Sequence, residues 1–323
     1  MKYVKLGSSG LSVSRLALGC MSYGDPAWRP WTLDEEAARP FFRRALEAGI
    51  NFFDTADIYS LGESERVTGK LIRDMAARSE VVIATKVGLE MDKGSNARGL
   101  SRKHILEGIE ASLRRLQTDY VDLYQIHRLD RTTPMEEICA GLDRAVQDGK
   151  VLYLGASSMY AWEFMKLIGL QRQLGLARFV SMQNHYNLLY REEEREMVPL
   201  CVSEGIGLIP WSPLARGLLT RPAQHQATAR SASDQYSPKL YGAAHEADVL
   251  AALEKQAGAM GVSMAQLALA WLLARPGVVA PIIGATRPHH LEEALAATEL
   301  ALDGATLAAL EAPYRPRGVA GID

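Results

Sequence analysis

The 323-residue chain is short of cysteine, of net charge and of long apolar runs, and each shortage removes a class of protein. Its three cysteines, Cys20, Cys139 and Cys201, lie far apart and form no C-x-x-C pair. Neither a disulfide framework nor a structural zinc site is therefore expected, and the set fits a reducing cytoplasm. A formal charge of −2 argues against a chain built to coat nucleic acid or an anionic membrane. No apolar run reaches the roughly 18 residues that span a bilayer. The opening stretch Met1–Gly7 lacks the apolar core of a signal peptide, so a cytoplasmic location is expected. No G-x-G-x-x-G follows the first apolar strand, which weighs against an open dinucleotide-binding sheet.

What the chain has is apolar mass, 48% of its residues, arranged in a repeating order. Tyr3–Leu6 and Leu11–Ser14 flank the Gly7-Ser8-Ser9-Gly10 turn and read as a hairpin. After it, short apolar strands alternate with helical segments. The strands are expected at Leu16–Gly19, Asn51–Asp54, Val81–Val87, Tyr120–Ile126, Val151–Ala156, Phe179–Gln183, Ile206–Trp211 and Val278–Gly284. Most are apolar throughout rather than alternating, as strands covered on both faces are. Between them, Glu35–Ala48, Lys103–Leu116, Met135–Asp148 and Arg191–Glu204 carry helical periodicity, and Gly49, Gly149 and Gly205 supply stops. Such strand–helix units imply a closed (β/α)8 TIM barrel, of class α/β, with an N-terminal β-hairpin. The interval Pro213–His245, rich in Ala, Ser, Gln and Arg, reads as a long loop between strands seven and eight. With no linker in evidence, residues 1–323 are expected to form a single barrel domain.

Polar residues collect where the chemistry of such a barrel sits, at the C-terminal ends of its strands. Strand two ends in Asp54 with Tyr59 in the following loop, strand three in Lys86, and strand four in His127. Any one of these alone reads as a salt bridge or a rim residue; together they read as a site. A tyrosine with an ordinary pKa of about 10 donates protons poorly near neutrality. A buried lysine cation beside it favours the phenolate, and an aspartate holds that lysine in place. Histidine then orients a carbonyl oxygen toward the tyrosine. The group suits proton delivery to an oxygen that becomes anionic as hydride reaches its carbon. It does not suit acyl transfer, because no serine or cysteine is paired with a base.

At these positions the sequence resembles the aldo-keto reductase superfamily. The resemblance is carried by Asn51–Tyr59, Gly62-Glu63-Ser64-Glu65, Ala84-Thr85-Lys86-Val87, Gln125-Ile126-His127, Gly155-Ala156-Ser157-Ser158, Met182-Gln183-Asn184 and Ile209–Gly217. It runs from about residue 1 to the C-terminal tail. More narrowly, it is similar to the bacterial branch associated with sugar-like carbonyls, including 1-deoxyxylulose 5-phosphate formation. The resemblance implies an NADP(H)-dependent oxidoreductase that reduces aldehydes or ketones, with Tyr59 as general acid, Lys86 and Asp54 lowering its pKa, and His127 orienting the carbonyl. It further implies that Ser157, Ser158 and Gln183 bind the nicotinamide carboxamide and that Trp211 stacks on the nicotinamide ring. Ser212, Leu214, Arg216 and Gly217 would hold the pyrophosphate. The stretch from Gly284 through Thr286, Arg287 and His290 to Glu293 would cover the adenosine end. His290 and Ala294 depart from the Arg or Gln and the Asn frequent in the family, which leaves Glu293 as the adenine contact. Arg287 suits the 2′-phosphate of NADP, whereas NAD needs no such cation.

Other features have plainer readings. Gly62 through Lys70 lacks the spacing of a phosphate loop and starts a helix instead. The run Arg191–Glu196 reads as a solvated helix start. His289 and His290 are adjacent, point different ways on a helix and lack a third ligand, so no metal is expected. On the substrate side, Met21, Tyr23, Trp28 and Trp31 follow strand one and are placed to wall a pocket. Arg29 and Arg128 are candidate cations for a substrate phosphate or carboxylate, with surface arginines as the alternative. Two other functions fit the pattern: a non-catalytic NADP(H)-binding regulatory subunit of the same fold, and a Schiff-base lyase with Lys86 as amine. Asp54 opposes the second by keeping the lysine charged. The expected partner is a small-molecule carbonyl substrate, with no nucleic acid and no membrane; the oligomeric state is left open.

Overall fold

The structure, a computed structural model, describes residues 1–225 and 236–316. Ser12–Ser14 (β2) pairs antiparallel with Tyr3–Lys5 (β1), and eight parallel strands follow. These are β3 (Ala17–Gly19), β4 (Phe52–Asp54), β5 (Val82–Val87), β6 (Val121–Ile126), β7 (Val151–Ser157), β8 (Phe179–Gln183), β9 (Gly207–Leu208) and β10 (Ile282–Ile283). From β3 to β8 each strand pairs with the next in order, and β10 returns to pair with β3. The remaining seam closes through single bonds: Val279 N donates to Leu208 O at 2.8 Å and Ile282 N to Pro210 O at 2.9 Å. Arg15 ties this seam from below by donating to the carbonyls of Leu273, Val278 and Val279. The result is the (β/α)8 barrel that the apolar runs predict.

Helices form where the periodicity places an apolar face on the strands. In α1 (Glu35–Glu47), Asp34 caps the start by accepting from Ala37 N at 2.9 Å, and Ala38, Phe41, Phe42 and Ala45 are buried. The three predicted stops sit in left-handed backbone, with φ of +82° at Gly49, +70° at Gly149 and +66° at Gly205. Gly62-Glu63-Ser64-Glu65 does open a helix, α2 (Glu63–Met75). The next helices are α3 (Arg102–Leu116), α4 (Met135–Gln147) and α5 (Ala161–Leu174).

The core has two parts. A larger one lies between strands and helices, and a smaller one fills the barrel with Ala17, Phe52, Val82, Ala84, Leu123, Ile209, Val279, Ala280 and Ile282. Leu6 and Val13 of the hairpin join the inner part and plug its N-terminal end. Gly7 makes that closure possible: its φ is +58°, and a Cβ there would lie 2.5 Å from Gly205 O. With the bottom plugged, only the C-terminal ends of the strands offer a mouth.

Two expectations change. Arg191–Glu196 is not a solvated helix start; Glu192–Glu194 forms a 3-10 turn and the helix α6 begins at Met197. Arg191 is drawn in by Glu194 and Glu311, and Tyr186 Oη donates to Glu194 at 2.6 Å, so tertiary partners outweigh solvation of the run. The interval Pro213–His245 is not one loop: it holds 3-10 turns at Ala215–Thr220 and Ala223–His225 and a short helix, α7 (Ser237–Leu240). Its residues 226–235 lie outside the described part. Beyond it come α8 (Glu246–Met260), α9 (Met264–Leu273), α10 (Pro288–Ala297) and α11 (Gly304–Glu311). Among the described residues no single helix is long and apolar enough to cross a membrane.

Candidate active site

Strand register brings the first three polar residues together. Asp54 pairs with Ala84, so Lys86, two residues further along β5, projects from the same face of the sheet. Its ammonium lies 2.5 Å from Asp54 Oδ1, 2.8 Å from Thr55 O and 3.3 Å from Tyr59 Oη. A lysine ammonium has three donors, and all three are engaged. Tyr59 is turned toward the cation by a tight coil in which Ser60 and Leu61 adopt φ of +49° and +51°. The ring of His127 stands across that of Tyr59, 5.7 Å away and perpendicular to it. The four predicted catalytic residues thus meet at one point of the mouth.

Sequence reasoning missed Gln125. It pairs with Lys86 on the neighbouring strand, and its Nε2 donates to Asp54 Oδ2 at 2.9 Å. The signal was available: Gln125 lies two residues before His127, on the same face of a strand. Gln183 joins it, donating to the same Asp54 oxygen at 2.9 Å and to Gln125 Oε1 at 3.0 Å. Gln183, expected at the nicotinamide carboxamide, is thus also hydrogen-bonded to Asp54 and Gln125. The buried Asp54 carboxylate thus accepts from Lys86 on one oxygen and from Gln125 and Gln183 on the other.

Burial and charge act against each other here. Burial pulls the Lys86 ammonium toward neutrality, yet Asp54 and Tyr59 hold its pKa above the ordinary value. A lysine so held is a poor amine nucleophile, which counts against the Schiff-base reading. For Tyr59 burial is the largest influence and raises the phenol above its ordinary pKa; Lys86 pulls the other way without overcoming it. The expectation of a net lowering of the Tyr59 pKa is thus reversed, because removing phenolate from water outweighs the nearby Lys86 and the weaker influence of Arg128. His127 is pushed well below its ordinary pKa, first by burial and then by Lys86 and Arg128, so its ring is neutral near pH 7.

The opposite side of the mouth is shaped by backbone. Ser157 ends β7, and Ser158 follows with φ of +45°. Trp211 Nε1 donates to Ser158 Oγ at 2.9 Å, while Arg128 Nη1 donates to His127 O at 2.5 Å and to Ser157 Oγ at 3.2 Å. The next loop runs through Ser212, Leu214, Arg216 and Gly217. Leu214, with φ of −104° and ψ of +23°, is followed by Ala215 at φ +48°, Arg216 at +58° and Gly217 at +102°. A right-handed residue followed by left-handed ones turns successive N–H groups to one side, the concavity that takes an anion. These residues fit a pyrophosphate.

After β10, Gly284 and Arg287 are exposed, and Arg287 sits at the N-cap position of α10 without a side-chain capping bond. Thr286 N donates to His290 Nδ1 at 3.3 Å, so His290 serves the helix start. Ala294 is buried in the core and Glu293 is partly exposed.

The expected substrate wall divides. Met21 is partly exposed, but Tyr23 has no accessible surface. It packs against Phe41 and Phe42 and donates to Ala285 O at 2.7 Å, which makes it a core residue rather than a pocket wall. Trp28 and Trp31 meet edge to face, with the Arg29 guanidinium 4.1 Å and 5.3 Å from their ring centroids.

With this geometry in hand, comparison with known proteins is informative. The model of the aldo/keto reductase family matches residues 15–315. The chain is 44% identical to versiconal hemiacetal acetate reductase of Aspergillus parasiticus, over 99% of its own length and 98% of the relative's. It is also 44% identical to a Schizosaccharomyces pombe protein whose name marks it as a candidate aryl-alcohol dehydrogenase, covering 99% and 97%. A third relative, the aldo-keto reductase AMT2 of Alternaria alternata, is 43% identical over 97% of this chain and 91% of its own. These relatives are fungal; they bear on the family and not on the bacterial branch.

Proposed function

Since the chain belongs to the aldo/keto reductase family and is an oxidoreductase of that kind, we propose that it is an NADP(H)-dependent carbonyl reductase, one barrel domain in extent, with Tyr59 as proton donor. The observation that carries the reading is the Asp54–Lys86–Tyr59 chain facing a neutral His127. When bound, NADPH supplies the hydride. Trp211, Ser157, Ser158 and Gln183 would hold its nicotinamide end, Ser212, Leu214, Arg216 and Gly217 the pyrophosphate, and Gly284, Thr286, Arg287, His290 and Glu293 the adenosine end.

The chain's own residues then divide the work. His127, neutral, hydrogen-bonds the carbonyl oxygen and fixes it near Tyr59. The Tyr59 hydroxyl passes its proton to that oxygen as negative charge grows there. Lys86 stabilises the phenolate left behind, and Asp54 keeps Lys86 charged and still. The raised pKa of free Tyr59 keeps it protonated, the form that reduction requires. Replacing Tyr59 by Phe is expected to lower kcat for carbonyl reduction by at least about a hundredfold while NADPH still binds. Wild-type turnover by that variant would assign the acid elsewhere.

Arg128 bears on the substrate. Arg78, Arg115, Arg191 and Arg275 each reach a carboxylate, whereas Arg128, beside His127, has none among the described residues. A half-buried cation in that position suits an acidic group on the substrate, as on a phosphorylated sugar-like carbonyl. The names of the fungal relatives point instead to aryl alcohols and to versiconal hemiacetal acetate. Arg128→Met is expected to raise KM about tenfold for phosphate-bearing aldehydes and to spare benzaldehyde. Equal loss on both would remove Arg128 from substrate recognition.

A further inference from the structure

His185 follows β8, just beyond Gln183, and no role assigned above uses it. Its ring is nearly parallel to Tyr190, with centroids 4.3 Å apart and planes inclined by 15°. It is equally close to Trp211, at 4.3 Å and 13°. Two rings so close and so nearly parallel cannot share one face of a third, so His185 is sandwiched between them. Its edge is held as well: Nε2 lies 2.8 Å from Tyr241 Oη and 3.3 Å from Asn187 Nδ2.

Asn187 links this sandwich to the loop beyond Trp211. It is fully buried, and its Nδ2 donates to Ser212 O at 2.9 Å and to Tyr241 Oη at 3.1 Å. Its Oδ1 accepts from Leu189 N and Tyr190 N, at 2.9 Å and 3.1 Å. Trp211 itself donates from its backbone to Asn184 O at 2.9 Å and from its indole to Ser158 Oγ. The indole is thus covered on one face, tethered at its edge and fixed at its backbone.

We infer that His185 is a positioning residue: with Asn187 and Tyr241 it sets the plane and depth of Trp211, a ring that also has the Arg128 guanidinium 5.8 Å from its centroid, so that the face of the indole away from His185 receives the nicotinamide ring in one orientation. This rests on the reading of Trp211 as the stacking residue. A ring that merely filled space would need no hydrogen bonds at its edge. Here the same buried amide that meets the imidazole also holds Ser212, the first left-handed residue of the proposed pyrophosphate loop. Indole and loop are held from one point. Burial, reinforced by Arg216 and Arg128, takes His185 down to about pH 3 for protonation, so the stacked ring carries no charge across the working range.

The test uses His185→Ala, which removes the stack, His185→Phe, which keeps it without the edge bonds, and Tyr241→Phe, which removes one oxygen. NADPH dissociation constants, kcat and KM are measured for each. Deuterium transfer is followed from NADPH labelled at one or the other C4 position. His185→Ala is expected to weaken NADPH binding about tenfold and to let deuterium come from both positions. His185→Phe is expected to restore one-sided transfer, with binding weakened about threefold, and Tyr241→Phe to match it. Wild-type binding and one-sided transfer in a folded His185→Ala overturn the inference. If that variant does not fold, unchanged NADPH binding in Tyr241→Phe overturns it instead. Trp211→Ala separates the two readings. Unchanged binding and transfer there sink the stacking assignment itself; altered values there, with His185 and Tyr241 variants unaffected, sink only this inference.

Discussion

On the β4–β6 side of the mouth, Lys86, Asp54, Gln125 and Tyr59 are held by one another's side chains, whereas on the β7–β10 side the polar surface is mostly backbone. The first side buries its charges: Lys86 is 0% and Asp54 2% exposed. The second gathers its left-handed residues, Ser158, Ser212, Ala215, Arg216 and Gly217, in the loops after β7 and the two-residue β9, all of them partly exposed except the buried Ala215. Rigid side-chain networks suit a proton that must travel a fixed short path. Backbone donors suit a long polyanion that is gripped at many points. The difference predicts that single side-chain losses are severe on the first side and mild on the second.

Lys86→Met gives the largest expected effect. It removes the stronger of the two cations, Lys86 and Arg128, that oppose the effect of burial on Tyr59, and it leaves Asp54 buried with two amides for company. We expect kcat for reduction to fall about a thousandfold, with KM for NADPH changed less than about threefold. Steady-state kinetics check both. A comparable rise in the cofactor KM would show that the two sides are not separate.

How far this was legible in the sequence follows the same division. Asp54, Lys86 and His127 each end an apolar run, and strand periodicity alone sends them to one mouth. Glycine stops and apolar runs likewise gave barrel and helices. What sequence could not supply was environment. Tyr23 looks like a pocket aromatic until its neighbours Phe41 and Phe42 enclose it. The phenol of Tyr59 looks acidified until burial is weighed against Lys86. The edge contact of His185 comes from Tyr241, more than fifty residues away in the chain, and no local pattern announces it.

A second, smaller effect tests whether the buried side is fully compensated. Asp57 lies between Asp54 and Tyr59, buried, and its carboxylate accepts from Ile58 N at 2.6 Å. Burial, with Glu65 adding, raises its pKa to about 8, against the opposing Ile58 N–H, Arg115 and Lys86. Between the ordinary carboxylate pKa of about 4 and this value, the folded chain keeps a proton that the unfolded chain releases. Stability therefore falls as pH rises through that window. Asp57→Asn carries no such proton, so its stability relative to wild type is expected to grow by on the order of 4 kcal/mol between pH 5 and pH 8.5. Urea denaturation at the two values reads it, and a difference that does not change with pH would place the strain elsewhere.

The smallest expected effect lies on the backbone-lined side. Arg287 is exposed at the start of α10, proposed to meet the 2′-phosphate of NADP. Exposed ion pairs are screened by salt and worth little, so no single contact there is expected to decide binding. Arg287→Met should raise the NADPH KM about tenfold at low salt, less at high salt, and leave the NADH KM unaltered. That pattern carries two conclusions at once. Selectivity confined to NADPH makes the 2′-phosphate the partner of Arg287, and a loss a hundred times smaller than that of Lys86→Met supports a grip spread over many donors. If the NADPH and NADH values move together, Arg287 supports the fold of the loop and reads no phosphate. If the NADPH loss reaches a thousandfold, this side depends on one side chain as strongly as the other, and the contrast between them fails.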